Sequence, residues 1–253
     1  MPAAGHSMVL FGGDGSPWTP TDWTSSDDSV RGGKSRSTLT ITTSPPIAIF
    51  AGTLDITALG GAGFASQRTV DAHAGFDLSG HDALVVAVHG SARDGKVFTL
   101  VLKDAATVRR PDGRQQSSVS WEHDFTYPAV HDGLGGRVVL RFADFKPTYR
   151  GKPVGDAEPL DWSSVRRVGI TVRSFFGQQE GDFVLPICSI TATKHHSKAE
   201  STTTTTASSV RKGPRETEAE VEVGAAPGSS SSSSSSRGCL GFISQLWRPK
   251  PQA

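Results

Sequence analysis

The sequence predicts an all-β fold, a two-sheet sandwich of jelly-roll type spanning residues 1–193, with a disordered C-terminal tail behind it. Three observations carry that expectation. Up to Ala192 the chain consists of short extended runs separated by Gly, Pro, Asp and Ser, the punctuation of strands and tight turns. Within those runs apolar and polar residues alternate with the period of two that a half-buried strand requires. Beyond Ala192 the composition changes sharply, with a run from Thr202 to Thr206 and another from Ser229 to Ser236. Such polar sequence buries too little apolar surface to offset the entropy of ordering it. Residues 194–237 therefore read as a disordered Thr/Ser-rich linker, and 238–253 as a short apolar C-terminal segment.

In chain order, strands are expected at 37–43, 47–55, 63–69, 83–89, 96–103, 118–127, 136–142, 167–174 and 182–190. Each is rich in β-branched or aromatic residues and bounded by turn formers. In 118–127 the residues Val119, Trp121, Phe125 and Tyr127 share a face, and Ser120, Glu122, Asp124 and Thr126 share the other. That strand has one wet side. By contrast, the run from Val97 to Leu102 is apolar on both faces and reads as a central, covered strand. Pro186 lacks an N–H for the ladder and favours an edge position or a bulge in the last strand. Short helices are expected only near 77–80 and 161–166. So many strands in one domain are managed best by a jelly roll.

Composition excludes more than it names. The formal net charge of +1 divides into 18 basic against 20 acidic residues in 1–193, and 8 against 5 beyond. Neither part is basic enough to imply nucleic-acid binding. The two cysteines, Cys188 and Cys239, suggest no disulfide framework. Asparagine is absent, and no apolar run reaches the ~20 residues that span a bilayer. Residues 1–13 resemble neither a secretory signal nor a transit peptide, so the expectation is a soluble protein of a reducing compartment. The eight histidines show no metal-ligand spacing, which argues against a metal site or a cofactor. No nucleophile elbow, phosphate-binding glycine loop or Cys–His pairing is present, so the chain is expected not to be an enzyme.

Four blocks carry unusual local chemistry. The first, Trp23 to Ser35, holds the acidic pair Asp27 and Asp28 and the turn-forming pair Gly32 and Gly33. The second couples Phe50 and Gly52 to a glycine cluster at 60–63 that opens the run Phe64, Ala65, Ser66, Gln67 and Arg68. The third, from Phe142 to Pro153, is an aromatic, basic and proline-bearing loop containing Phe145, Lys146, Tyr149, Arg150 and Gly151. The fourth, from Ser174 to Phe183, turns into the closing strand. In this order they resemble the signature of the complex I intermediate-associated protein 30 (CIA30) family, as does Asp77-Leu78-Ser79 between them. Arg31 stands where the family has methionine, and Gly60-Gly61-Ala62-Gly63 replaces an asparagine-glycine-glycine arrangement.

The resemblance implies a galactose-binding-domain-like jelly roll and a chaperone-like, non-enzymatic role in assembling respiratory complex I. The partner would then be a protein, a complex I assembly intermediate or another assembly factor. The candidate partner-binding positions are Asp27, Asp28, Gly32, Gly33, Ser35, Phe64, Ser66, Arg68, Lys146, Tyr149 and Arg150. A carbohydrate-binding sandwich, or a cytosolic paralogue with another protein client, is the alternative. Localisation follows the same split: mitochondrial by resemblance, cytoplasmic by the absence of a presequence. Arg68 and Arg150 either form a cationic patch for an acidic partner or tie loops down by pairing with Asp27, Asp28 or Asp144. Trp121 is expected in the core, Trp162 is open, and Trp18 and Trp23 are undecided. Asp27 and Asp28 lack the ordered oxygen ligands of a calcium loop. Cys239, ahead of Leu240, Phe242 and Ile243, is a candidate for lipidation that would bring the tail into peripheral membrane contact.

Overall fold

The computed structural model describes residues 7–194, apart from 93, 107, 112, 114 and 128–134. The expected linker, the apolar terminal segment and Cys239 lie outside the described residues. Those described form thirteen strands. They are β1 (Ser7–Phe11), β2 (Trp23–Ser25), β3 (Arg36–Ile41), β4 (Ala48–Leu54), β5 (Phe64–Thr69), β6 (Ala83–Val88) and β7 (Phe98–Lys103). The rest are β8 (Ser120–Phe125), β9 (Gly136–Arg141), β10 (Lys146–Tyr149), β11 (Lys152–Pro153), β12 (Arg167–Arg173) and β13 (Gly181–Thr193). The helical turns are all short 3-10 segments, at Pro20–Asp22, Asp28–Arg31, Phe142–Asp144 and Trp162–Ser164.

Every strand pairing is antiparallel, and the strands form two sheets. A six-stranded sheet runs β3-β4-β13-β6-β9, with β1 added to β13 where β4 ends. A seven-stranded sheet runs β11-β10-β8-β7-β12-β5-β2. Their inner faces meet through Phe50, Phe183, Leu84, Leu140 and Leu185 from one side and Phe98, Leu100, Leu102 and Ile170 from the other, all essentially without solvent contact. The Phe50 and Phe183 rings lie 4.9 Å apart, and Phe98 of the opposite sheet meets them at 6.2 and 6.4 Å. Each such side chain contributes roughly 1.5–3 kcal/mol by leaving water. The all-β sandwich expected from alternation is therefore the fold.

All nine expected strands are present, with ends displaced by no more than three residues. Four others escaped notice because they are short: β1, β2, and the pair β10 and β11 inside the segment read as a loop. That segment is a β-hairpin, turned by Arg150 (φ 52°) and Gly151 (φ 76°). Two further corrections have clear causes. Residues 77–80 are no helix, because Asp77 Oδ1 accepts hydrogen bonds from the backbone N–H and hydroxyl of Ser79 and closes a turn instead. Of the two positions expected for Pro186, the edge is wrong, since it sits in the central strand β13, and the bulge is the one that agrees with the ladder. The Pro186 carbonyl accepts from His89 N–H on the β6 side, so its missing N–H faces the point where β6 has already ended. The ladder shifts register between Ile187 and Ser189, directly after it.

Trp18 and Trp23 are core residues, gathered around Phe11 at 5.3 and 5.0 Å. Trp18 Nε1 donates to the Cys188 carbonyl at 2.9 Å. Trp121 packs against the core as expected, and Trp162 stacks on Phe142 with ring centroids 3.7 Å apart. Strand β7 is central, but its outward side is covered by a polar network and not by another layer.

Candidate functional site

The acidic pair of the first signature block points inward. Asp28 is fully buried and its carboxylate accepts three hydrogen bonds: from Ser35 N–H (3.1 Å), Ser35 Oγ (2.7 Å) and Phe64 N–H (3.0 Å). Asp27 repeats the pattern one step along, accepting from Ser37 N–H (3.0 Å), Ser37 Oγ (2.6 Å) and Ser66 N–H (2.8 Å). Ser37 lies on β3 and Phe64 and Ser66 on β5, so the two carboxylates join the edge of one sheet to the other. Gln67 adds a third tie, its Nε2 donating to the Ser37 carbonyl and hydroxyl. The glycine pair follows from this arrangement. Gly32 ends the 3-10 turn at φ 82°, and a Cβ on Gly33 would lie 2.2 Å from the Asp28 carboxylate. Asp27, Asp28, Gly33, Ser35 and Ser66 thus form an inter-sheet staple.

What reaches solvent at this end is apolar and cationic. Val30 is 75% exposed, and Arg31 beside it lies over the Phe64 ring at 5.5 Å. The neighbouring turn holds Phe175 (φ 45°), Phe176 (φ 58°) and Gly177 (φ 86°) in the left-handed region in succession. Two bulky residues there are strained. Their conformation lifts the Phe176 ring to 90% exposure and places its backbone beside Gly61. Arg173 covers Phe175 at 4.9 Å.

The outer face of the seven-stranded sheet starts from the same end. Register places Phe64, Ser66 and Arg68 of β5 on it, with Arg167, Gly169, Thr171 and Arg173 of β12 alongside. Thr99, Val101 and Lys103 of β7 and Glu122 and Asp124 of β8 continue it. Arg173 binds Glu122 and Asp124, Thr99 donates to Asp124 at 2.7 Å, and Thr148 donates to Glu122 at 2.7 Å. Ser66 and Thr171 hydroxyls meet at 2.8 Å.

At the far end Arg68 pairs with Asp71 at 3.2 Å, not with Asp27 or Asp28 as the sequence had allowed. Arg167 meets the same carboxylate at 2.7 Å. Burial, then the Arg167 charge, pushes Lys103 down to about 8. Burial likewise lowers Arg68, with Arg167 adding to it. Arg150 bonds to Ser117 Oγ at 3.1 Å and lies over the Tyr149 ring, while Tyr149 is 40% exposed and Lys146 is exposed opposite Glu122. Lys103 and Arg167 were missed because each stood in a strand pattern that looked complete without them. Cys188 is half-buried, and burial raises its thiol pKa. Among the described residues no three His, Cys, Asp or Glu side chains gather as a metal site, and no helix is long and apolar enough to cross a membrane.

Residues 13–187 match the family described as Complex I intermediate-associated protein 30. The chain belongs to that family. A family-sized likeness also links it to the uncharacterized protein C9E9.15 of Schizosaccharomyces pombe, 38% identical over 188 residues, covering 73% of this chain and 83% of that one. Among solved structures, the fold is similar to the family 11 carbohydrate-binding module of Clostridium thermocellum. In complex with a β-1,3-1,4-mixed-linked tetrasaccharide that module aligns at 15% identity and TM-score 0.50, over 76% of this chain and 97% of its own. A second structure of it, from cellulase Lic26A-Cel5E, gives 14% identity and TM-score 0.49, over 77% and 99%. At such identity only the sandwich is shared. In this chain, the staple gives a physical reason why the acidic pair, the Gly-Gly-x-Ser turn and the Phe-Ala-Ser strand occur together.

Proposed function

We propose that the protein is a non-catalytic docking scaffold for a protein client, and that the client is a complex I assembly intermediate or another assembly factor in mitochondria. Family membership supports the assembly setting. The observation that carries the docking role is Phe176, held on a strained turn with 90% of its surface in water. A fold gains nothing by straining its backbone to hydrate a phenyl ring. A partner that covers the ring gains roughly 2–3 kcal/mol from that burial. Val30 and Arg31 supply an apolar and a cationic neighbour on the adjoining turn. The inter-sheet staple holds the Val30 turn, and Ser174 bonded to Gly63 and Gln179 bonded to Val97 hold the Phe176 turn, so docking loses little conformational entropy. The sugar-binding alternative rests on the shared sandwich alone.

Affinity capture of the tagged full chain from its own cells, after fractionation, tests this reading. Respiratory complex subunits should come down from the mitochondrial fraction with the wild type and fall at least tenfold with Phe176→Asp. Asp tolerates the left-handed conformation better than Phe, so the variant should fold. Capture from the cytosolic fraction with no respiratory protein would overturn the proposal, and undiminished capture by the variant would remove Phe176 from it.

A further inference from the structure

We propose that the far end of the seven-stranded sheet's outer face, built on Arg68, Lys103 and Arg167, is an anion site that takes a phosphate monoester. It is separate from the Phe176 turn, since Arg68 closes β5 where Phe64 opens it, and Arg167 opens β12 where Arg173 closes it.

Three adjacent strands each contribute one cation. Arg167 and Lys103 are direct cross-strand partners, and like charges opposite each other destabilise a sheet. Arg68 stands on the next strand opposite Gly169, which has no side chain to intervene. The arginines are only 15% and 16% exposed, so these charges repel through a poorly screened medium. The lowering of both Lys103 and Arg68 reflects burial together with that mutual repulsion.

Among the described residues, the carboxylates that reach these cations are shared. Asp71 serves Arg68 and Arg167 through Oδ1, and Arg109 (3.8 Å) and Gln115 (2.9 Å) through Oδ2. Glu122 acts on Lys103 only at a distance, with its oxygens taken by Arg173 and Thr148. Lys103 Nζ meanwhile donates to the carbonyl and hydroxyl of Ser118 at 3.2 and 3.1 Å, next to the Ser117 that holds Arg150. A cavity of about 220 Å³ opens beside Arg167, lined also by Asp71, His73, Ala105, Ala106 and Arg166.

A phosphate monoester matches this chemistry. It carries close to two negative charges and three acceptor oxygens, enough for two guanidinium forks and an ammonium at once. Crowded cations that cost stability in the free protein are the mark of a site kept for a ligand.

The test is an amide chemical-shift titration of the full chain with inorganic phosphate, against chloride at matched ionic strength. Saturable shifts confined to residues around 68–71, 102–104, 117–118 and 166–168 are expected. Lys103→Met keeps the aliphatic stem and removes the repulsion. It should raise the thermal midpoint while weakening phosphate at least tenfold, a pairing that misfolding does not produce. Unsaturable shifts, shifts equalled by chloride, or unchanged affinity in Lys103→Met would each overturn the site. Sedimentation with phosphatidylcholine vesicles, with and without phosphatidic acid, then separates the sources. Lys103-dependent retention on phosphatidic acid assigns a lipid headgroup, and phosphate binding without retention assigns a soluble phosphate.

Discussion

Replacing Asp28 by alanine should remove much of the stability of the domain. The carboxylate accepts from two backbone N–H groups and one hydroxyl, and it is wholly screened from water. Hydrogen bonds to a charged group are worth about 1.5–3 kcal/mol each. Deletion recovers the carboxylate's desolvation cost, but it strands Ser35 N–H and Phe64 N–H inside the sandwich. The Ser35 hydroxyl keeps a second acceptor in the Asp55 carbonyl at 3.2 Å, which trims the loss. The net cost should be about 3–5 kcal/mol, against a total of roughly 5–15 for an ordinary domain. Urea unfolding followed by fluorescence of the buried Trp18 and Trp23 reads this directly. At a slope near 2 kcal/mol/M, the midpoint should fall by about 1.5–2.5 M. Asp28→Asn should cost about 2 kcal/mol, since an amide N–H₂ must then face a donor. A double-mutant cycle with Ser35→Ala should give a coupling of about 1–2 kcal/mol. A loss below about 1 kcal/mol for Asp28→Ala would refute the staple and return the acidic pair to the list of partner contacts.

Three other expectations concern single positions. Gly33→Ala drives a methyl group into the Asp28 carboxylate and should cost about 2–3 kcal/mol in the same urea assay, whereas Gly155→Ala, which meets nothing, should be nearly silent. Arg150→Asn should stabilise the β10–β11 hairpin by about 0.5–1 kcal/mol in thermal melts, because asparagine accepts the φ of 52° that arginine resists. Lys103 is pushed below its unfolded value of 10.5 to about 8, so between those limits the unfolded chain holds more protons. Wild-type stability should therefore rise from pH 8 to 10.5 relative to Lys103→Met, by about 1–2 kcal/mol after screening by its partly exposed surroundings. A flat difference across that window would show that the lysine is not burdened in the fold.

The strands were legible because alternation is a local property, written residue by residue in runs such as 96–103 and 118–127. What was not legible depended on distance. Strands β1 and β2 are too short for a pattern and exist because Phe11 and Trp23 find a core made by residues far along the chain. The hairpin of β10 and β11 hid behind prolines that read as loop signals, yet Pro147 pairs with Trp121 and Pro153 with Thr148 at the margin of the sheet. The signature residues were visible as chemistry but not as direction. An Asp-Asp pair beside glycines suggests an exposed turn, and only the positions of Ser35, Ser37, Phe64 and Ser66 reveal that it faces inward. The Arg68 patch was half seen, since the cross-strand approach of Arg167 and Lys103 is set by register between strands some sixty residues apart.

Strand β13 has a consequence for how the chain is made. It pairs with β1, β4 and β6, so the six-stranded sheet has no centre until residues 181–193 exist. Synthesis proceeds from the other end, and Ser7 must wait for Thr193 before its ladder can close. Up to that moment β4 offers an open edge on a nascent polypeptide of more than 180 residues, the kind of exposure that invites aggregation. Contacts of such long sequence separation also make folding slow. The six-stranded sheet therefore cannot assemble piecemeal as it emerges, and a truncation just before residue 181 leaves it split into β3-β4 and β6-β9 while the seven-stranded sheet keeps all its strands.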